Sequence, residues 1–347
     1  MNPADLPDAV VRALRCAVED GEIRGDGVVP ERVVVERTRP GGVGDYATPV
    51  AFQVAKAAGR APREVAGVLA RRLGEEPGIE RVEVTGPGFV NFVLPAPLAP
   101  RVVEEVREGL GGGVLPDAEL RLDLAPGLDL APGPDLAPGT GTGTATGPGP
   151  SVALRERVVR ESVLRLGRAA PGLPVPPLAP LPPVAPVAKR DGDVVARFGA
   201  GAACWAMLCV PARETPEFSG ALLVQGEENE YFRVRYAHAR SRALLRNAAD
   251  LGFGPEPGEV DAPALLRVLA EYRLVLEAAG HHRAPERLAR YLVELADALL
   301  EFQYRVLPHG DEKPSAAHRA RLALAEAAGA VLAGGLALLG IDAPTRL

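Results

Sequence analysis

The chain has 347 residues, 47% of them hydrophobic, and a formal net charge of −6. That is enough material for two domain cores, but the acidic balance excludes a general polyanion binder and confines any nucleic-acid site to a local basic face. Aromatics are only 4%, whereas Gly 39 and Pro 35 are abundant and crowd the centre of the chain, so the folding fraction is smaller than the length.

Cys16, Cys204 and Cys209 have no metal-ligand spacing, which fits structural thiols in a reducing cytoplasm. The start, MNPADLPDAVVRALRCAVEDGE, has early acids and no apolar run, unlike a signal peptide. GAVLAGGLALLG near the end is too short to span a bilayer. A cytoplasmic protein without a membrane partner is expected.

The fold class expected is a small α+β amino-terminal domain and an all-α carboxy-terminal bundle, joined by a Pro/Gly-rich disordered linker. In chain order, residues 1–110 begin with a helix that places Val10, Val11, Leu14 and Val18 on one face. RVVVER (32–37) predicts a short strand, and two helices follow, broken at AGRAP with Pro62 at a helix start. Strands over Ile79–Val84 and Phe89–Leu94 are joined by a TGPG turn. Alternation puts Val90, Phe92 and Leu94 on one face of the second strand and Phe89, Asn91 and Val93 on the other. Residues 98–110 predict a closing helix.

Residues 111–193 predict a low-complexity linker, opening with the repeated Asp-Leu-Ala-Pro-Gly hexads of DLAPGLDLAPGPDLAPG. One basic amphipathic helix, 151–170, interrupts it, and a Pro-rich stretch resumes as a stiff spacer. From 194 to 347 the pattern is helical, with starts at Pro263, Pro285 and Ser315 and stops at Gly252, Gly280 and Gly340.

The first long helix of the bundle carries Tyr236, His238, Arg240, Arg242 and Arg246. Tyr236 and Arg240, four apart, share a face on which a ring could stack on an unpaired base while a guanidinium takes a phosphate. The same composition also describes a solvated Arg-rich face with a half-buried Tyr.

YAHARSRALLRN, LARYLVELADALLEFQYRV and LLGIDAPTRL resemble, in order and spacing, the DALR-type anticodon-binding domain of arginyl-tRNA synthetases. GDYATPVAFQVAKAAGRAPREVA and VEVTGPGFVNFVL resemble the appended amino-terminal domain of the same family. The resemblance covers roughly residues 5–110 and 197–347, with nothing like the class I catalytic domain between. Neither a His-Ile-Gly-His type motif nor a Lys-Met-Ser-Lys type loop occurs, and His281 and His282 lack the motif's glycine. The resemblance therefore implies a non-catalytic chain without cofactor or metal that binds tRNA, an arginine isoacceptor first, and serves a tRNA-modifying or tRNA-using enzyme. It does not imply binding of DNA. It further implies that Phe89 and Asn91 face the D-loop, with the amide reading a base edge, and that Tyr236 and Arg240 face the anticodon loop. Arg242, Arg246 and Tyr304 join that set. The family's usual terminal Met, close to the anticodon, is Leu347 here. A protein-interaction scaffold that keeps the fold without RNA binding, or a subunit completed by another chain, is the alternative.

Overall fold

A computed structural model describes residues 1–24, 29–39, 41–109, 150–169 and 183–347. They fall into two units, Met1–Leu98 with Ala270–Ala278, and Ala99–Leu269 with Ala279–Leu347.

In the first unit, α1 (Leu6–Glu19) buries Leu6, Val10, Leu14 and Ala17 at helical spacing. The strand expected over 32–37 shrinks to β1 (Glu36–Arg37), because only these two residues find ladder partners, in β2 (Tyr46–Thr48). Helices α2 (Val50–Ala58) and α3 (Pro62–Leu73) follow, separated by Gly59 at φ 62°. Strands β3 (Arg81–Thr85) and β4 (Phe89–Val93) complete an antiparallel sheet of order β1-β2-β4-β3. Val90 and Phe92 of β4 face the core with Tyr46, Val50, Val65 and Leu69. Leu94 packs against that core only in part.

Gly44 shows why a glycine stands there. At φ 75°, any Cβ would lie 2.8 Å from the Phe92 carbonyl oxygen, which accepts the Asp45 amide at 2.7 Å. The unit also takes in Leu274, and Glu271, whose carboxylate accepts the Tyr46 hydroxyl at 2.9 Å and lies 3.6 Å from Arg37.

The second unit is helical: α4 (Ala99–Gly109), α5 (Pro150–Ala169), α6 (Val194–Phe198), α7 (Ala200–Leu208), α8 (Glu230–Asp250), α9 (Pro263–Ala270), α10 (Tyr272–His282, the start of which belongs to the first unit), α11 (Pro285–Phe302) and α12 (Ala316–Leu338). Side-chain caps begin three of them, with Asp193, Asn229 and Ser315 accepting amides of the first turns of α6, α8 and α12. Pro285 opens α11, and Gly252 and Gly340 take left-handed φ after α8 and α12, as expected. Gly280 does not end its helix. The chain runs on to His282, and Arg283 takes the left-handed turn at φ 52°, with the Ala284 amide closing back on Ala279. Helix α12 is long and apolar enough to cross a membrane by length and composition, but 78% of its apolar window is buried inside the protein, the signature of a core helix.

Of the linker expected over 111–193, residues 111–149 and 170–182 lie outside the described residues. The helix expected over 151–170 is α5, and it packs into the second unit. Val158, Val159 and Leu166 of α5 are buried, and Arg155 is wholly so. Its guanidinium donates to the carbonyls of Ala185 (2.6 Å), Pro211 (3.1 Å), Met207 (3.3 Å) and Glu214. Burial pulls its pKa down from the usual arginine value, yet these carbonyls accept from four of its five N–H groups.

Removing the guanidinium orphans buried carbonyls, at about 1–3 kcal/mol for an unsatisfied polar group. Arg155→Ala should therefore cost at least about 3 kcal/mol and lower the melting temperature by roughly 6–12 °C. A thermal melt followed by circular dichroism checks this, and a shift below about 2 °C would show that α5 does not dock this way.

Candidate nucleic-acid interface

Helix α8 buries Val234, Ala237, His238, Ser241, Leu244 and Ala248, an inner stripe spaced by threes and fours. The candidate residues, of which only His238 belongs to that buried stripe, divide into two groups. At 100° per residue, Tyr236 and Arg240 lie on one stripe, and His238, Arg242 and Arg246 lie on another.

On the first stripe Tyr236 is 39% exposed and stacks on Phe232 one turn earlier, with ring centroids 5.7 Å apart and an interplanar angle of 15°. Arg240 Nε donates to Gln303 Oε1 at 2.6 Å. Gln303, just beyond α11, is itself buried and donates from Nε2 to the Leu300 carbonyl at 2.8 Å. The next residue, Tyr304, is 68% exposed, and its carbonyl accepts His309 Nε2 at 2.6 Å. Tyr236, Arg240 and the 303–305 turn are thereby tied into one surface. Because Gln303 is neutral, the charge of Arg240 is oriented but not cancelled.

The second stripe holds the carboxy-terminal tail. His238 Nδ1 donates to the Pro344 carbonyl at 2.9 Å, and Arg246 Nη1 donates to that of Thr345 at 3.3 Å. Leu347, beyond these anchors, is 55% exposed. His238 thus has a structural role, and burial, reinforced by the nearby Arg242 charge, lowers its pKa against the raising effect of the Pro344 bond.

In the first unit Phe89 is 41% exposed at the start of β4. Asn91, on the same face of the strand, is only 4% exposed. Its Nδ2 donates to Thr85 Oγ1 (2.8 Å), to the Glu83 carbonyl (3.2 Å) and, longer, to that of Phe89 (3.4 Å). The Nδ2 side of the amide expected to read a base edge is therefore engaged in the β3–β4 hairpin, which it helps to fix. The sequence reading passed over Phe52 of α2, 37% exposed, whose ring meets that of Phe89 edge-on at 5.1 Å and 60°. Its signal was available: Val50, Ala51, Val54, Ala55 and Ala58 form the buried side of α2, which leaves Phe52 outward. Phe232 was visible as the residue four before Tyr236, but nothing in sequence marks Gln303. Among the described residues no three His, Cys, Asp or Glu side chains gather as metal ligands.

Two family models match the chain, the arginyl tRNA synthetase N terminal domain over residues 5–94 and the DALR anticodon binding domain over residues 234–347. The chain is related to the arginyl-tRNA synthetases. The arginine–tRNA ligase of Frankia alni is 57% identical over 94 residues, which are 27% of this chain and only 17% of that protein. The arginyl-tRNA synthetase structure of Thermus thermophilus superposes with a TM-score of 0.53 at 16% identity, the alignment spanning 100% of each chain. That likeness is one of fold. A structure from Campylobacter jejuni described as a putative arginyl-tRNA synthetase aligns over 45% of this chain and 35% of its own, with 24% identity and a TM-score of 0.39. Within the synthetase-related regions, Phe52, Phe89 and Asn91 fall in the amino-terminal match, and Tyr236, Arg240, Arg242, Arg246, Tyr304 and Leu347 fall in the anticodon-binding match. Residues 95–233 lie in neither.

The buried His238 gives a pH dependence with a definite sign. Its folded-state pKa is lowered, so below about pH 6.5 the unfolded chain takes up a proton that the folded chain resists. This contribution is absent above that pH and becomes a loss of stability as pH falls through it. The urea midpoint of the wild-type chain should drop between neutral and mildly acidic pH, and His238→Gln should flatten the drop; parallel urea titrations check it.

Proposed function

We propose that this chain is a non-catalytic tRNA-binding relative of the arginyl-tRNA synthetases, with an arginine tRNA as its ligand. The observation that carries this reading is the surface of Tyr236, Phe232 and Arg240, in which an exposed ring is held by stacking and a guanidinium by a neutral amide. An unpaired anticodon-loop base stacks on the ring, and the guanidinium takes a phosphate or a base edge. Phe89 of the amino-terminal unit takes the D-loop. The Tyr304 ring and the tail carrying Arg246 and Leu347 extend the anticodon-side surface. Two modest sites in one chain gain avidity when both engage one tRNA. Such a chain would carry or shield tRNA for a modifying or tRNA-using enzyme. The net charge of −6 favours a second reading, a protein scaffold that has kept these domains without RNA binding.

Equilibrium binding of labelled tRNA transcripts, arginine isoacceptors against others, separates the two. Affinity should fall steeply with salt as phosphate counterions are released. Tyr236→Ala should weaken it about 5- to 150-fold, the effect of losing one stacked base at about 1–3 kcal/mol, and Arg240→Glu should weaken it further. Affinity indifferent to salt and to both substitutions would sink the tRNA reading in favour of the scaffold. ATP–pyrophosphate exchange with arginine should be absent, and its presence would overturn the non-catalytic assignment.

A further inference from the structure

We infer that the exposed turn before α8, Leu223 and Val224 within a run of glutamates, docks a basic, apolar segment of a partner protein. This surface is distinct from the stripes of α8 proposed to meet RNA. It lies in the 95–233 stretch that neither family model matches, and it acts whether or not the chain binds tRNA.

The apolar part is held out rather than left loose. Among the described residues, Leu223 and Val224, each 57% exposed, are the only two consecutive large hydrophobic residues at the surface. Leu223 ends a short 3-10 turn, Gly220–Leu223, and Val224 follows it. The backbone of this turn is fastened from within. Asn229, itself buried, donates from Nδ2 to the carbonyls of Leu222 (3.1 Å) and Val224 (2.8 Å). Its Oδ1 accepts the Phe232 amide at 3.3 Å and so caps α8. The Val224 amide donates to the Ala221 carbonyl at 3.2 Å, the Asn229 amide to that of Gly226 at 3.1 Å, and Arg233 Nη1 to that of Glu227 at 2.6 Å. Single exposed aliphatics are ordinary. An adjacent pair on a backbone bonded in this way contributes little to the fold and offers another chain an apolar contact whose ordering cost has already been met.

The flanking charge decides what that chain must carry. Residues 214–230 hold five glutamates, Glu214, Glu217, Glu227, Glu228 and Glu230, and no lysine, arginine or aspartate, a local charge of −5 in a chain of net −6. All five are exposed. Arg233, the first cation after the run, is already paired with Asp297 at 2.9 Å. Coulomb repulsion keeps a phosphate backbone away from such a surface, and a second copy of this chain would set like charges against each other. A protein segment with lysines or arginines beside aliphatic side chains matches both parts. Its charges steer it in, and the buried aliphatics hold it.

The test uses the full chain and a labelled synthetic peptide of leucine and lysine arranged as an amphipathic helix. Control peptides carry glutamate for lysine, or serine for leucine. Fluorescence anisotropy should show binding of the first peptide, weakened several-fold between low and physiological salt, and binding of either control at least about 5-fold weaker. Leu223→Ser with Val224→Ser should weaken the first peptide about 5-fold or more. Leu98→Ser and Leu251→Ser, at leucines 61% and 53% exposed, should leave it within about 2-fold. Asn229→Asp keeps an oxygen to cap α8 and adds an anion, but removes both amide donations to the turn; it should weaken the peptide although the charge has become more favourable. Leu223 and Val224 are exposed, so thermal melts of their serine variant should match the wild-type chain. Equal affinity for the wild-type chain and the Leu223→Ser/Val224→Ser chain, or for the lysine and glutamate peptides, overturns the inference. A loss of tRNA affinity in that variant would assign the turn to RNA, and a dimer in sedimentation that the variant dissolves would assign it to a second copy; either overturns it too. Failure of the wild-type chain to bind tRNA would sink the proposed function and leave this inference standing.

Discussion

The second unit depends on how closely α12 approaches α8 and α11. A Cβ at Gly329 would fall 2.1 Å from Ser241 Oγ of α8, and one at Gly335 would fall 2.4 Å from Leu292 Cδ2 of α11. Contacts that short do not exist between real atoms, so the missing side chains set the separation of the three helices. The Ser241 hydroxyl uses that proximity to donate to the Ala325 carbonyl at 2.8 Å. With the inner stripe of α8 fixed in this way, the orientation of its other faces follows. The ring of Tyr236 is turned outward, Arg240 reaches the end of α11, and His238 meets the returning tail. A glycine in an apolar helix, an unfavourable choice by intrinsic propensity, here positions a surface on the other side of a neighbouring helix.

The arginines of the second unit differ in what they can offer an anion, and the difference is invisible to composition. Arg107 lies 2.9 Å from Glu326 of the core helix, and Arg233 lies 2.9 Å from Asp297. Each is neutralised in place. Arg155 is sealed among carbonyls and touches no solvent. Arg240 and Arg246 are held by a side-chain amide and by a main-chain carbonyl, partners that fix direction while leaving the charge uncompensated. In a protein of acidic net charge, a local positive site is made by choosing the acceptor as much as by placing the cation. A count of arginines on α8 could not have separated these classes.

Much of the fold was legible because its elements obey strong periodicities and local signals. The spacing of Val10 and Leu14, Pro62 and Pro285 at helix starts, and the Ser315 cap all landed where pattern and capping chemistry put them. The failures share a cause in tertiary structure. Gly280 looked like a stop, but the chain closed its helix with Arg283 instead. The strand over 32–37 lost most of its length because pairing, not propensity, defines a strand. Helix α5 was legible as a basic amphipathic helix but not its docking, because nothing local says that Arg155 will meet carbonyls 30 to 59 residues further on. The same holds for the site. Tyr236 and Arg240 were legible as a helical pair, whereas Gln303 and the Phe52–Phe89 contact arise only when separate elements meet.

Hydrogen bonds made inside each unit limit which polar groups are left to meet another molecule. In the amino-terminal unit the Nδ2 of Asn91 closes a hairpin, which leaves its Oδ1 as the part of that amide without an internal bond among the described residues. In the helical unit Gln303 is likewise spent, its Oε1 on Arg240 and its Nε2 on Leu300. What remains there for polar contacts includes the rest of the Arg240 and Arg246 guanidinium groups and the hydroxyls of Tyr236 and Tyr304. A guanidinium already held at Nε by a fixed acceptor has lost much of its rotational freedom, so a second partner meets a fork that is pre-oriented.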